Sequence, residues 1–364
     1  MDSEKVINPN WDNINNPDVL NVSLGNNGKI DVELPGTLAI YKDAQVAADN
    51  NLSTDVLEGK SFEFEITVAS AANKKLSAVV KNEQGDTQGD PFELTFDAQG
   101  KATHSIKDGE TLYIYGLDAG ADYTVTEVAD KLPAGFTQTS EEYDAGVIAG
   151  NTVTTASFVN TYNVTSVTVD ADALAKWRKT FDRWDLAQSF DIRLSADQPG
   201  NPMPEDFETG VDGRGYKDVT ATETASSGNF GAIEFTKPGT YTYTVTEVTP
   251  AQGVAGVSYS DADYDITVTV TDDGKGNLSA TSVMTKTTND NGQALENPQR
   301  VDDNTATFVN TFNASSTTTG PRAIKRYTNN GGSDAILKDN MFTFKVKAVG
   351  ENADSAPKPD GVQP

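Results

Sequence analysis

A chain of 364 residues, 36% of them hydrophobic, exceeds one ordinary β-sandwich and fits two or three domains, and its mean hydropathy of −0.48 excludes a membrane protein. Its formal net charge of −26, from 54 acidic and 28 basic residues, excludes a nucleic-acid partner and suits an edge-rich β protein that must stay apart from its copies. With no cysteine and only His104, disulfides, thiol chemistry, histidine triads and multi-histidine metal sites are excluded, and no cofactor or metal is implied.

Residues 1–36 fit none of the repeats that dominate the rest of the chain. Met1-Asp2-Ser3-Glu4-Lys5-Val6 has neither the basic nor the apolar region of a signal peptide. Gly25-Asn26-Asn27-Gly28-Lys29 predicts a turn before a short strand over 30–34, with a break at Pro35-Gly36. This stretch reads as the tail of a preceding domain. The first repeat, 37–163, opens on a strand whose Leu38, Ile40 and Lys42 share one face. A Phe-rich strand follows over 61–66, with Lys60 in phase with Phe62 and Phe64. Strand 123–128 puts Glu127 in phase with Tyr123 and Val125, and the repeat closes at 158–162, where Phe158, Asn160 and Tyr162 share a face.

The second repeat, 164–313, contains the one stretch with helix-forming composition, 171–179. Its place in the repeat nevertheless predicts an extended strand, with Trp177, Lys179 and Phe181 on one face and Lys176 out of phase. A Phe-rich strand recurs over 189–194. Lys237-Pro238-Gly239 leads into a strand over 240–248, whose alternation puts Tyr243, Val245 and Glu247 on one side. Strands over 264–271 and 278–284 flank a hairpin turn at 272–277. Asp261, Asp263 and Asp265 beside that turn suggest calcium, but the spacing matches no EF-hand loop and a solvated hairpin is the preferred reading. The repeat closes with Phe308, Asn310 and Phe312 on one face.

A third repeat, 314–364, starts again with Ala323, Lys325 and Tyr327 in phase and a Phe-rich strand over 341–346. Its segment 352–359 echoes Gly200-Asn201-Pro202-Met203-Pro204. No Glu or Asn counterpart follows, so Lys325 is expected to stay unpartnered. The chain reads as a window cut from a longer repeat protein, with any signal peptide and sorting signal outside it. Short strands punctuated by Gly, Pro, Asn and Asp predict an all-β fold of tandem antiparallel, Ig-like β-sandwiches.

An inward lysine, glutamate and asparagine thus occur twice on separate strands. Burying such a lysine alone costs several kcal/mol, and a covalent bond to the asparagine is one way out. The words around these residues resemble the intramolecular isopeptide-forming domains of Gram-positive surface pilins and adhesins. Repeat two is similar to the pilin isopeptide linkage domain in Lys179-Thr180-Phe181 with Arg183 and Leu186, in Asn201-Pro202-Met203-Pro204, in the run from Lys237-Pro238-Gly239 to Glu247, and in Ala306-Thr307-Phe308-Val309-Asn310-Thr311-Phe312. It departs from that pattern at Asp182 and Trp184, where a glycine is usual. Repeat one is more similar to a collagen-adhesin B-type domain, with Gly116-Leu117-Asp118-Ala119-Gly120-Ala121-Asp122-Tyr123 before its Thr-Glu.

The resemblance implies that Lys Nζ attacks Asn Cγ with loss of ammonia, assisted by Glu127 or Glu247, once per site and without turnover. The bonds implied are Lys42–Asn160 and Lys179–Asn310, with Lys60 and Lys176 as the alternative lysines. It also implies a cell-wall-anchored, extracellular stalk whose partners are neighbouring domains of the same chain, with a host surface or matrix component as a further partner. Two other readings compete. A ligand-binding adhesin module would show an exposed aromatic or apolar patch, and a sugar-cleaving hydrolase would need a cleft with two free carboxylates.

Overall fold

Period-2 alternation of apolar and polar residues buries one face of a strand and solvates the other, so each such strand needs a facing sheet. The computed structural model describes residues 21–24, 30–48, 51–316, 320, 322–328, 339–351, 353 and 356–357. The chain divides into two compact units, 1–313 and 314–364. At the start of the first, strand Asn21–Leu24 pairs antiparallel with Ile30–Glu33, and the turn expected at 25–29 lies outside the described residues.

Two β-sandwiches follow within the first unit, as the all-β reading expects. In the first, a six-stranded sheet runs in the order Phe136–Glu142, Val153–Tyr162, Gly36–Val46, Thr111–Leu117, Lys75–Lys81 and Phe92–Thr95. It faces a four-stranded sheet built from Ala145–Val147, Asp122–Glu127, Ser61–Thr67 and Lys101–Lys107. Leu38, Ile40 and Phe158 of one sheet meet Phe62, Phe64 and Val125 of the other in one core. The second sandwich has a seven-stranded sheet in which Ser189–Ala196, Gly239–Glu247 and Asp263–Asp272 lie side by side. Across its core lies a three-stranded sheet of Ser227–Asn229, Lys176–Thr180 and Thr305–Val309.

Three local features differ from the sequence reading. Residues Ala171–Leu174 form one helical turn before strand Lys176–Thr180, because Leu174 and Ala175 can bury there while the turn closes on Asp170. The closing strand of the second sandwich breaks at Asn310. Phe308 packs in the main core, whereas Phe312 joins a separate cluster with Phe181 and Phe190. Finally, although the sheets are antiparallel overall, the opening and closing strands of each sandwich are neighbours and run parallel. Thr37 pairs with Val153 through Val46 with Tyr162, and Lys176 with Thr305 through Thr180 with Val309. A parallel pair needs a long crossover, and here the rest of the domain is that crossover.

The two sandwiches meet at the hairpin turn 272–277. Tyr162 donates its hydroxyl hydrogen to Asp272 (2.8 Å) and accepts from the N–H of Gly276 (2.8 Å). Thr165 N–H donates to the Gly276 carbonyl (2.9 Å). Gly276 has φ +90°, and a Cβ there would lie 2.7 Å from Gly135 Cα, so this approach requires glycine. Asp273 closes the turn on Asn277, so the loop carboxylates are committed to hydrogen bonds in a hairpin.

In the second unit, the described residues 322–328 and 341–349 contain no strand, unlike the expectation of two opening strands. A strand without a paired neighbour leaves its backbone groups to water and its apolar face uncovered. Lys325 is exposed, with Nζ 5.3 Å from the Phe342 ring centroid, and Ile324, Phe344, Val346 and Val349 are exposed too. Limited trypsin digestion should therefore remove segments beyond residue 313 first and leave a resistant core; equal resistance along the chain, read by mass, would contradict this. Tyr162→Phe removes an acceptor bonded to the Gly276 amide, and exchange of that amide with solvent should speed up about tenfold or more while the core strands keep their protection.

Candidate functional site

Each sandwich aims a lysine into its core from the opening strand, an asparagine from the closing strand or, for Asn310, from the break just after it, and a glutamate from the facing sheet. In the first, Lys42 stands opposite Phe158 and Asn160 opposite Ala44, while Glu127 pairs in register with Phe64. Period 2 turns these polar side chains to the same side as the core residues Ile40, Phe158 and Val125. All three are buried, Lys42 and Asn160 at 0% exposure. In the second, Lys179, Glu247 and Asn310 are buried likewise, with Glu247 in register with Ile192.

The two sites differ in how their polar atoms are satisfied. Lys42 Nζ lies 3.7 Å from Glu127 Oε1 and 4.4 Å from the Phe62 ring centroid, and it donates to the carbonyls of Asp43 (2.8 Å) and Phe158 (3.4 Å). Both carboxylate oxygens of Glu127 and both amide atoms of Asn160 lack a hydrogen bond of good geometry. Lys179 Nζ, by contrast, donates to Glu247 Oε2 at 2.5 Å, and Asn310 Nδ2 donates to Glu247 Oε1 at 2.7 Å. The N–H of Ser260 donates to Asn310 Oδ1 at 2.7 Å. An edge-to-face group of Phe181, Trp184, Phe190 and Tyr259 lies against this site, with Lys179 Nζ 4.6 Å from the Phe190 centroid.

Burial sets the proton affinities. It pushes Lys42 down to about 8 against the opposing pull of Glu127, and Lys179 down to about 8 against that of Glu247. Burial raises the Glu127 carboxyl, an effect only partly offset by Lys42. A buried lysine with a lowered pKa readily yields the neutral amine that a nucleophile must be. A carboxylate beside both the amine and the amide can carry a proton from one to the other.

The structure thus brings together the six residues singled out above. Lys60 is half-buried at the foot of strand Ser61–Thr67, and Lys176 is half-buried beside the acidic Asp303. Neither is the lysine found against a glutamate. Sequence reasoning missed Ser260, Asp290 and the aromatic group around Lys179. Ser260 follows a two-residue strand, and Asp290 lies in an Asn-Asp-Asn-Gly stretch that signals only a turn.

Residues 175–313 match the family model described as FctA, Spy0128-like isopeptide containing domain, and residues 36–162 match a domain of unknown function, DUF7601. No curated protein matches the chain. Among solved structures, the pilus-presented adhesin Spy0125 (Cpa) is 24% identical over 35% of this chain and 27% of its own, with a TM-score of 0.23. The chain therefore spans about a quarter of that structure's length. The C-terminal fragment of pilus adhesin SpaC from Lactobacillus rhamnosus GG is 14% identical over 77% of this chain and 99% of its own, at a TM-score of 0.23. The major pilin protein T-13 from Streptococcus pyogenes is 15% identical over 80% and 98%, at a TM-score of 0.21. Among the described residues, no helix is long and apolar enough to cross a membrane.

The lysine shift carries a pH signature. In an Asn310→Ala variant Lys179 has no asparagine beside it and is expected to be a buried free amine. Its folded state then binds fewer protons than the unfolded chain between about pH 8 and the usual lysine value of 10.5. Stability rises with pH wherever the unfolded state binds more protons. The cost of the buried charge is therefore full below pH 8 and relieved above it. Between pH 7.5 and 9.5 this variant should gain stability relative to Lys179→Met/Asn310→Ala in urea titrations, and parallel curves for the two would refute the assignment.

Proposed function

We propose that this chain, whose residues 175–313 are a Spy0128-like isopeptide containing domain, is a structural segment of the stalk of a Gram-positive surface pilin or adhesin. It is covalently locked by Lys42–Asn160 and Lys179–Asn310 amide bonds that form without another enzyme. In this reading, 37–163 and 164–313 are two complete isopeptide domains, 1–36 belongs to a preceding domain, and 314–364 begins a third, with Lys325 as its unpartnered lysine. The stalk's place is outside the cell on the wall, and its partners are adjoining domains and other subunits of the same assembly.

The observation that carries this is the recurrence of a buried Lys, Glu and Asn group across the parallel pair of opening and closing strands. In each, the neutral amine attacks Asn Cγ, so the Nζ–Cγ bond forms and the Cγ–Nδ2 bond breaks. The glutamate receives a proton from Nζ and returns one to Nδ2, which leaves as ammonia. An amine and a primary amide become a secondary amide and ammonia, so no oxidant or co-reactant is needed. Holding the groups in a packed core supplies the proximity that makes an unactivated amide reactive.

Position in the fold gives the bond its purpose. In a chain of tandem domains, load enters at the start of the opening strand and leaves at the end of the closing one. Pulled in opposite directions, two parallel neighbours are sheared, and a covalent tie between them bypasses their hydrogen bonds. Under the chain-entropy model developed for disulfides, closing a loop of about 100 residues also contributes about 4.7 kcal/mol. That stabilisation suits a chain with no cysteine.

Intact mass tests the reading. The purified protein should fall about 34 Da below the sequence mass, about 17 Da for each ammonia lost. Glu127→Ala and Glu247→Ala should each restore about 17 Da in their own sandwich and leave the other unchanged. A wild-type mass equal to that of the sequence would refute the function proposed.

A further inference from the structure

The second site holds a donor that the lysine, glutamate and asparagine do not account for. Ser260 is buried, and its N–H points at Asn310 Oδ1 (2.7 Å), the atom that takes negative charge when an amine adds to Cγ. The same N–H stands 3.3 Å from Glu247 Oε2, so it lies between the proton carrier and the amide oxygen. One side chain fixes this placement. Asp290 Oδ1 accepts from Ser260 Oγ (2.7 Å) and from the N–H of Val309 (2.8 Å), the residue just before Asn310. A single carboxylate oxygen thus ties the donor loop to the strand that carries the reacting amide. Lys286 pairs with its other oxygen at 3.2 Å, and these contacts keep Asp290 ionised, with its pKa below the usual carboxylate range despite burial. Tyr259 packs against Phe190 on the other side of the loop.

The first sandwich lacks this arrangement. Its strand Phe136–Glu142 continues alongside the closing strand, with Gln138 opposite Asn160 and a bulge before Ser140. Thr139 spends its hydroxyl on Val159 and Thr161, and Asn160 Oδ1 receives no hydrogen bond. In the second sandwich the corresponding strand, Val257–Ser258, is short, and the chain turns away at Ser260.

Building on the isopeptide reading, we infer that the Ser260 backbone N–H is an oxyanion donor for the Lys179–Asn310 bond, with Asp290 as its positioning residue, and that the Lys42–Asn160 bond forms without such a donor. As Nζ adds to Cγ, the carbonyl electron pair moves onto Oδ1, where this N–H meets it. When Nδ2 departs as ammonia the carbonyl re-forms, and the donor remains on the oxygen of the new amide. Oxyanion donors are generally worth about 10²–10³ in rate, so the second bond forms faster than the first.

The test follows each bond by the mass of its own peptides, from the moment of purification onward, in the full chain. Asp290→Ala should slow the loss of ammonia from the second sandwich at least about tenfold and leave the first unchanged, so the first serves as an internal clock. Asp290→Asn keeps the shared oxygen acceptor while abolishing the charge toward Lys286, and should recover most of the rate; a purely structural loss of the ion pair would not be rescued this way. Ser260→Ala retains the N–H but loses the tether and should fall between them, which decides the matter if Asp290→Ala does not fold. If Asp290→Ala and Ser260→Ala link the second sandwich as fast as wild type while Glu247→Ala leaves it open, the inference is overturned and the isopeptide reading stands. If Glu247→Ala also links fully, the reading on which it rests has failed first.

Discussion

A lysine amine held against a glutamate inside an aromatic core is the constraint around which each sandwich is arranged. Taking an ammonium out of water costs several kcal/mol even after the protein relaxes. The site recovers part of this through the carboxylate and through ring faces, with Phe62 under Lys42 and Phe190 under Lys179. In the function proposed above, conversion of amine and amide into a neutral secondary amide removes the charge altogether. The same burial that makes a charged lysine costly here also drops both lysines toward 8, which favours the neutral amine. In the proposed function, the cost of the unlinked fold and the reactivity of the site therefore have one cause.

Strand order links that proposed chemistry to mechanics. Lysine and asparagine sit on, or in the case of Asn310 just beyond, neighbouring parallel strands that open and close each sandwich, so the proposed bond spans the two points where a tandem array is loaded. Continuity between the two sandwiches rests on Tyr162, two residues beyond Asn160. Its hydroxyl joins Asp272 and Gly276 of the next domain, and this contact requires the absence of a side chain at Gly276. The end of the closing strand of the first sandwich is thereby packed against the hairpin turn of the second.

The two sites solve the same problem with different completeness. Both side-chain amide atoms of Asn310 have a partner, and Ser260 and Asp290 extend the network outward. Around Asn160 the side-chain amide and the Glu127 carboxylate lack hydrogen bonds of good geometry, and the carboxylate keeps only a long contact of 3.7 Å with Lys42 Nζ. The difference traces to one stretch of backbone. In the first sandwich the strand resumes pairing with the closing strand at Ser140, beyond Gln138, whereas in the second it stops at Ser258 and leaves the N–H of Ser260, two residues on, to meet Asn310.

Much of this was legible in the sequence because strands are periodic. Alternation alone places Lys42, Glu127 and Asn160, and again Lys179, Glu247 and Asn310, on the apolar side of their strands, and turn residues mark the hairpin at 272–277. That Lys42 and not Lys60 faces a glutamate followed from its place in the opening strand. Phase alone could not separate the two lysines, since both share a face with apolar neighbours. Tertiary structure decided what periodicity does not encode. The parallel pairing of first and last strands depends on which edges meet after the domain closes. The helical turn at Ala171–Leu174 depends on where Leu174 can bury, and the break at Asn310 on Phe312 finding a second aromatic cluster. Ser260 meets Asn310 through a backbone N–H, a group that every residue but proline carries and that no residue pattern can single out. Only three-dimensional packing aims it at an amide fifty residues away in sequence.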